Sequence, residues 1–520
     1  MTRKLLMTCL AAASVGVAAI GFCQAGTDGA SSAETSFTLP DVPRPAIPAR
    51  SASIVDFGAV SDGNTLCTQA FAEAIASLAK QGGGRVVVPA GVWYTGPIVL
   101  TDNIDLHLER NAIIVFSDDT KLYPLVETTF EGLNTWRCQS PISARDAKNV
   151  AITGEGVIDG NGDGWRAVKR DKITENHWKR KVRSGGIVSD DGKTWYPSES
   201  YRFGATTGAD QNVSTWAVTR EDFERMHDFL RPVMVSIVGC ENVLLEGVTF
   251  QNSPCWNIHP ALCVNLRVEN ITVRCPEYAQ NGDGIDIESC RNVVLRGSKF
   301  DVGDDGICIK SGKDEDGRRR GVPTENVVVE GCTVFRGHGG FVVGSEMSGG
   351  VRNVLVRRCN FVSTDVGLRF KSRRGRGGVV ENIYVYDTSM SDIATEPLLF
   401  DLFYGGKSAV EVLESGSEER AAATVPPVDE TTPAFRNIDI RRLNCLGARR
   451  AMFFNGIPEM PIEGIRIAQT RIRSTHGGEM RHARKIVLDD VEIVPAQGPA
   501  LKIADCDETD LRGFKGEIAR

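Results

Sequence analysis

The chain has 520 residues, 60 Lys and Arg against 67 Asp and Glu, a formal net charge of −7 and 24% charged residues. That is enough chain for a large core, too apolar for disorder, and not basic enough for a nonspecific nucleic-acid binder. The length allows either several domains or one elongated repeat domain.

Residues 1–25 read as an export signal. Arg3 and Lys4 form a positive end, Leu5 to Phe22 is mostly apolar and small, and Cys23-Gln24-Ala25 resembles a small-x-small cleavage site. No later run of about 18 apolar residues follows. A soluble exported protein, periplasmic or extracellular and free of the membrane after signal removal, is therefore expected. Residues 26–50, rich in Ser, Pro and Ala, read as a flexible lead-in.

Order begins near Val55-Asp56-Phe57-Gly58, and residues 51–520 read as one domain. Thr68 to Lys80 has the pattern of an amphipathic helix, ended by Gly82-Gly83-Gly84. Val86-Val87-Val88 and Ile98-Val99-Leu100 read as strands. Then a motif recurs: Asn, an alternating apolar strand, Gly or a polar pair, and a second alternating strand. It begins at Asn149, Asn242, Asn265, Asn292, Asn326, Asn353, Asn382 and Asn437, with gaps of 27, 34, 27 and 29 residues from Asn265 to Asn382. A near-fixed period of short period-2 strands with no helices between them means a solenoid. The expected fold is all-β: a right-handed parallel β-helix of about three short strands per coil, with the N-terminal helix capping its open end. A β-propeller would need a longer repeat with a WD or kelch signature, and neither is found.

Two stretches break the period. The excursion at about 160–232 carries Trp165, Trp178, Trp195 and Trp216 among many charges, and reads as either a wall beside a groove or a self-packed surface loop. The second, about 405–434, is acidic and reads as loop. Of 14 Cys, Cys9 and Cys23 fall in the signal, and the other twelve form no CxxC pair. Zinc is therefore not expected. Cys308, Cys332 and Cys359 read as small buried hydrophobes, while a pair such as Cys263 and Cys275 is open to oxidation.

Residues one coil apart stack on one face, and the acids follow that rule. Asp304 lies 21 residues after Asp283, and His338 lies 33 after Asp305, of which the charged segment Lys313 to Thr324 accounts for 12. Arg369 and Lys371 follow on the next coil. Strict alternation would place Asp305 inside with Ile307 and Ile309, so a turn at Gly303 and Gly306 is expected to bring both acids to solvent. Asp286 and Glu288 read as a solvated strand face. Three clustered carboxylates cannot all ionise cheaply, so one is expected to hold a proton near neutral pH. That is the equipment of glycoside hydrolysis, and Arg369 with Lys371 suits an acidic sugar.

Asn281-Gly282-Asp283, Gly303-Asp304-Asp305, Gly337-His338-Gly339 and Arg369-Phe370-Lys371, in this order on a β-helix, resemble the motifs of glycoside hydrolase family 28, the polygalacturonases. Gly282 stands where the family usually shows Thr, and Phe370 where it shows Ile. The resemblance implies an inverting, metal-free hydrolase of α-1,4-linked galacturonan. It implies Asp304 as general acid, Asp283 and Asp305 holding the attacking water, and His338 tuning the acid's proton. Arg369 and Lys371 would bind a galacturonate carboxylate. Ser253 to Pro260 and Thr364 to Leu368 resemble the bacterial exo-acting branch, in which the 160–232 excursion would close one end of the groove. Asn281, Trp256, His259 and Tyr404 are further candidates for substrate contact, the last three equally for packing. The expected partner is an acidic polysaccharide and the expected state a monomer, with no nucleic acid bound. A hydrolase of rhamnogalacturonan or another decorated pectin, a calcium-dependent pectate lyase and a noncatalytic carbohydrate-binding solenoid are the alternatives.

Overall fold

The computed structural model describes residues 35–210, 212–405, 416 and 425–520. The export-signal reading and most of the 405–434 break lie outside them.

Parallel strands stack coil upon coil in three faces. One face runs through Ile285–Glu288, Asp305–Lys310, Gly339–Gly344 and Leu368–Lys371. The second runs through Arg291–Arg296, Thr324–Glu330 and Val351–Arg357, and the third through Lys299–Asp301, Thr333–Phe335 and Asn360–Val362. Each strand pairs in parallel with its equivalent on the next coil. This is the expected right-handed β-helix. Alternate residues point inward, so Ile285, Ile307, Phe341 and Leu368 form one fully buried column. Farther along, the Phe370 and Phe400 rings stack at 4.5 Å and 2°.

The recurrent asparagines have a backbone reason and a side-chain reason. All eight, and Asn103 before them, stand at positive φ between 56° and 60°, a conformation that Asn tolerates better than other side-chain-bearing residues. Each of the eight donates Nδ2 to the Oδ1 of the Asn one coil earlier, at 2.7–3.2 Å, from Asn149 on Asn103 to Asn437 on Asn382. The repeat in the sequence is thus a continuous amide ladder.

Helix Thr68–Ala79 buries Ala70, Phe71, Ala74, Ile75 and Leu78 over the first coils, as a cap should. The lead-in differs from expectation. Its described part lies against the solenoid wall: Val42 is buried, its carbonyl accepts from Arg267 at 2.7 Å, and Arg44 pairs with Glu246. Specific ion-pair and apolar contacts hold what composition suggested would be loose. The twelve described cysteines are all free thiols, so Cys263 and Cys275 form no disulfide. Cys308, Cys332 and Cys359 are buried small side chains, as read from the sequence.

The 160–232 excursion packs on itself and also walls a cavity. Tyr123, Trp165, Tyr201, Phe223, Met226 and Phe229 form one cluster, and Val168, Trp178 and Trp195 another. Its tryptophans hold the excursion together, while polar residues face the groove.

Candidate active site

The acids sit at the corner where the third face turns into the first. The Asn281–Gly284 stretch enters strand Ile285–Glu288, Gly303 and Asp304 enter Asp305–Lys310, and His338 enters Gly339–Gly344. Gly284 N donates to Asp305 O at 2.9 Å and His338 N to Asp304 O at 3.1 Å. Carboxylate oxygens of Asp283, Asp304 and Asp305 lie within 4.8 Å of one another. These residues line a cavity of about 350 Å³ together with Asn281, His338, Arg369, Lys371, Trp256 and Tyr404.

Asp305 meets its environment in an unexpected way. It does not face solvent but is 1% exposed, with Oδ1 3.2 Å from Arg369 and Oδ2 2.7 Å from Lys371. Burial alone would raise its pKa, but the Lys371 and Arg369 charges reverse that and hold it below the usual carboxylate range. Those two cations, read from sequence as a clamp for substrate, already bind Asp305, and both lie near the Tyr404 ring at 5.0–5.6 Å. Asp283 is the opposite case. Burial and then the Asp304 charge push its pKa well up, and its Oδ1 has no hydrogen-bond partner. Asp304 is the more exposed member of the trio. Of the three carboxyls, it is Asp283 that burial and the neighbouring Asp304 charge push toward the protonated form.

Burial opposes protonation of His338, but the Asp304 charge and a 2.6 Å hydrogen bond to Asp365 outweigh it and raise its pKa. Asp365 thus orients His338. The sequence offered Asp365 only as part of a motif, because the contact joins adjacent coils.

Two readings need correction. Asp286 and Glu288 are fully buried rather than solvated. Lys310 lies 3.5 Å from Asp286 and 2.8 Å from Glu346, while Glu288 takes His259 at 2.9 Å and Arg320 at 2.6 Å. His259 and Arg320 make the burial of Glu288 tolerable as a charge, whereas Asp286, with neither oxygen hydrogen-bonded, is pushed by burial toward its protonated form. His259, a candidate for substrate contact, is accordingly 0% exposed and does not line the cavity. Trp256 does, though it is 2% exposed and packs on Phe130 at 4.5 Å. Asn281 accepts at Oδ1 from Arg231, 3.0 Å away. Arg231, which sequence reading missed, also bonds Pro254 O, Gln280 O and Asn212 Oδ1, so it ties the acid-bearing loop to the excursion.

Two insertions add to the lining of the cavity. The hairpin Leu125–Phe130/Leu133–Cys138 and the excursion leave the same corner on the coils before Asp283, and they contribute Glu131, Lys169, Lys172 and Asn212 to the lining.

A profile described as "Glycosyl hydrolases family 28" matches residues 213–416. The crystal structure of a hyperthermoactive exopolygalacturonase from Thermotoga maritima superposes with a TM-score of 0.69 at 33% identity, covering 88% of this chain and 94% of that one. The chain belongs to glycosyl hydrolases family 28. A probable polygalacturonase of Vitis vinifera is 31% identical over 352 residues, 66% of this chain and 61% of that protein. An exo-poly-alpha-D-galacturonosidase of Dickeya chrysanthemi is 29% identical over 360 residues, 68% of this chain and 57% of that one. The family 28 chain thus spans about three-fifths of the length of these two curated relatives.

Proposed function

We propose that this family 28 protein is an exported polygalacturonase that hydrolyses α-1,4-galacturonosidic bonds from a chain end. The observation that carries the reading is the trio Asp283, Asp304 and Asp305 within 4.8 Å, lining a cavity walled on one side.

Asp304, the most accessible of the three, protonates the leaving glycosidic oxygen. Asp283, with an unpartnered oxygen, receives a proton from the attacking water. The two carboxyls share one proton; burial favours it on Asp283, and the reactive arrangement is the one in which it has passed to Asp304 and left Asp283 ionised as the base. Asp305 is held by cations on both oxygens, which makes it a poor nucleophile and a fixed acceptor that orients water. Single displacement by water, with inversion at the anomeric carbon, follows from the family resemblance rather than from spacing, since oxygens within 4.8 Å stand closer than the roughly 6.5–9.5 Å usual for inverting pairs. His338, fixed by Asp365, governs the proton on Asp304.

Recognition of galacturonate falls to Arg369, Lys371 and Tyr404 at the scissile bond. Among the charged groups lining the cavity, Lys310, Arg369 and Lys371 are ion-paired with buried carboxylates. Lys169 and Lys172 have no ion pair among the described residues, so they are the cations left for a substrate carboxylate on the walled side. The wall supports exo action, because it leaves room for a chain end rather than a passing chain.

Chromatography of early products from polygalacturonate tests the reading. One short product from the first minutes is expected, and a ladder of random oligomers would refute exo action. No release of reducing sugar would refute the activity itself.

A further inference from the structure

The corner that carries the acids continues beyond them. Asp365 N donates to Gly337 O at 2.8 Å, Thr395 N to Asp365 O at 2.8 Å, Arg450 N to Thr395 O at 3.0 Å, and His476 N to Arg449 O at 2.8 Å. With the His338–Asp304 bond, these form an unbroken backbone ladder along one edge of the solenoid. Each coil adds ~4.8 Å, which places Arg450, four coils on, about 19 Å from Asp304 along the axis.

A second cavity, of about 520 Å³, opens there, lined by Arg449, Arg450, His476, Glu479, Gln497 and Lys502. Its floor is glycine backbone. A Cβ on Gly477 would stand 2.1 Å from the Pro499 carbonyl oxygen, so only glycine allows the two coils to approach this closely there. Arg450 is fixed, with Glu396 at 2.6 Å and its guanidinium 3.8 Å above the Phe453 ring. Arg449 and His476 are exposed and have no ion pair among the described residues, and Lys502 reaches Glu479 only at 3.9 Å. On a chain whose net charge is −7, this is a local cationic patch on the edge that bears the catalytic cavity.

We propose that this cavity is a remote subsite for carboxylates of the same galacturonate chain whose end occupies the catalytic cavity. The proposal rests on the functional reading above. The hairpin and the excursion close the side toward the earlier coils, so the rest of a bound chain must leave over the later ones. The ladder edge leads it to Arg449 and Lys502. A polyanion gains twice there: each contact is favourable, and the second contact of a chain already held is intramolecular. A neutral polysaccharide gains little.

The test is the full-length Arg449→Ala/Lys502→Ala double variant. Both side chains are exposed and far from the acids, so the fold should be kept. KM for polygalacturonate is expected to rise about 3- to 10-fold with kcat unchanged. KM for digalacturonate, too short to bridge four coils, should stay within about 2-fold, and the polymer effect should shrink as salt rises. Equal changes for both substrates, or none for the polymer, would overturn the subsite. Calorimetric binding of polygalacturonate separates the two readings. A wild type that cuts neither substrate but binds the polymer more tightly than the variant keeps the subsite and refutes the activity. Equal binding by wild type and variant refutes the subsite.

Discussion

Asp304→Asn keeps shape and removes the transferable proton. Turnover of polygalacturonate should fall by about 10²- to 10⁴-fold, with thermal stability little changed; activity within a few-fold of wild type would move the acid elsewhere. Asp305→Asn behaves differently, because it leaves Arg369 and Lys371 buried beside a neutral group. Losing one partner of such a pair costs about 3–5 kcal/mol, so denaturant melts should show a large loss of stability along with the loss of activity. Asp365→Asn removes part of what raises the His338 pKa. The alkaline limb of kcat/KM should then move to lower pH; an unmoved limb would make the Asp365 contact purely structural.

For the coils, the amide ladder is the element most open to test. Asn326→Ala would place a Cβ-bearing residue without a polar side chain at φ 57° and break the bonds to Asn292 and Asn353. A loss of about 1–3 kcal/mol is expected from the two effects, read as a lower melting temperature. Activity at low temperature should persist, since the ladder lies on a different turn from the acids. The excursion is the other distinctive element. Its aromatic residues pack internally and Arg231 fastens it to Asn281, so it is a built wall rather than a loose flap.

Over the whole molecule, buried charges should shape the pH dependence of stability. Burial raises Asp286 to about 8. Between its ordinary value near 4 and about 8 the folded state holds a proton there that the unfolded chain has released. Stability from this group is therefore full at acid pH and lost as pH rises through that window. Asp305 and Glu346, lowered by their cations against the effect of burial, act in the opposite sense: their contribution is full above the ordinary carboxylate range and is lost as pH falls below it. Asp286→Asn should flatten the fall in melting temperature between about pH 4 and pH 8; an unchanged slope would assign that fall to other groups.

Much of this was legible in one dimension, because a solenoid writes its geometry as a period. The Asn repeats gave the coils, and the spacing of Asp283, Asp304, His338 and Arg369 brought their side chains to one corner before any coordinates. Those are local and nearest-neighbour consequences of backbone stacking. Charge pairing was not legible. Asp286 and Glu288 look like a wet strand face in the alternation Ile285 to Glu288, and only Lys310, His259 and Arg320 from other coils make them a buried network. Nor could spacing reveal that Arg369 and Lys371 grip Asp305, or that Asp365 holds His338. Which residues share a face follows from strand periodicity, which the chain carries in its order. Which charge neutralises which depends on side chains meeting across coils and excursions, and that was decided only when the polypeptide wound up.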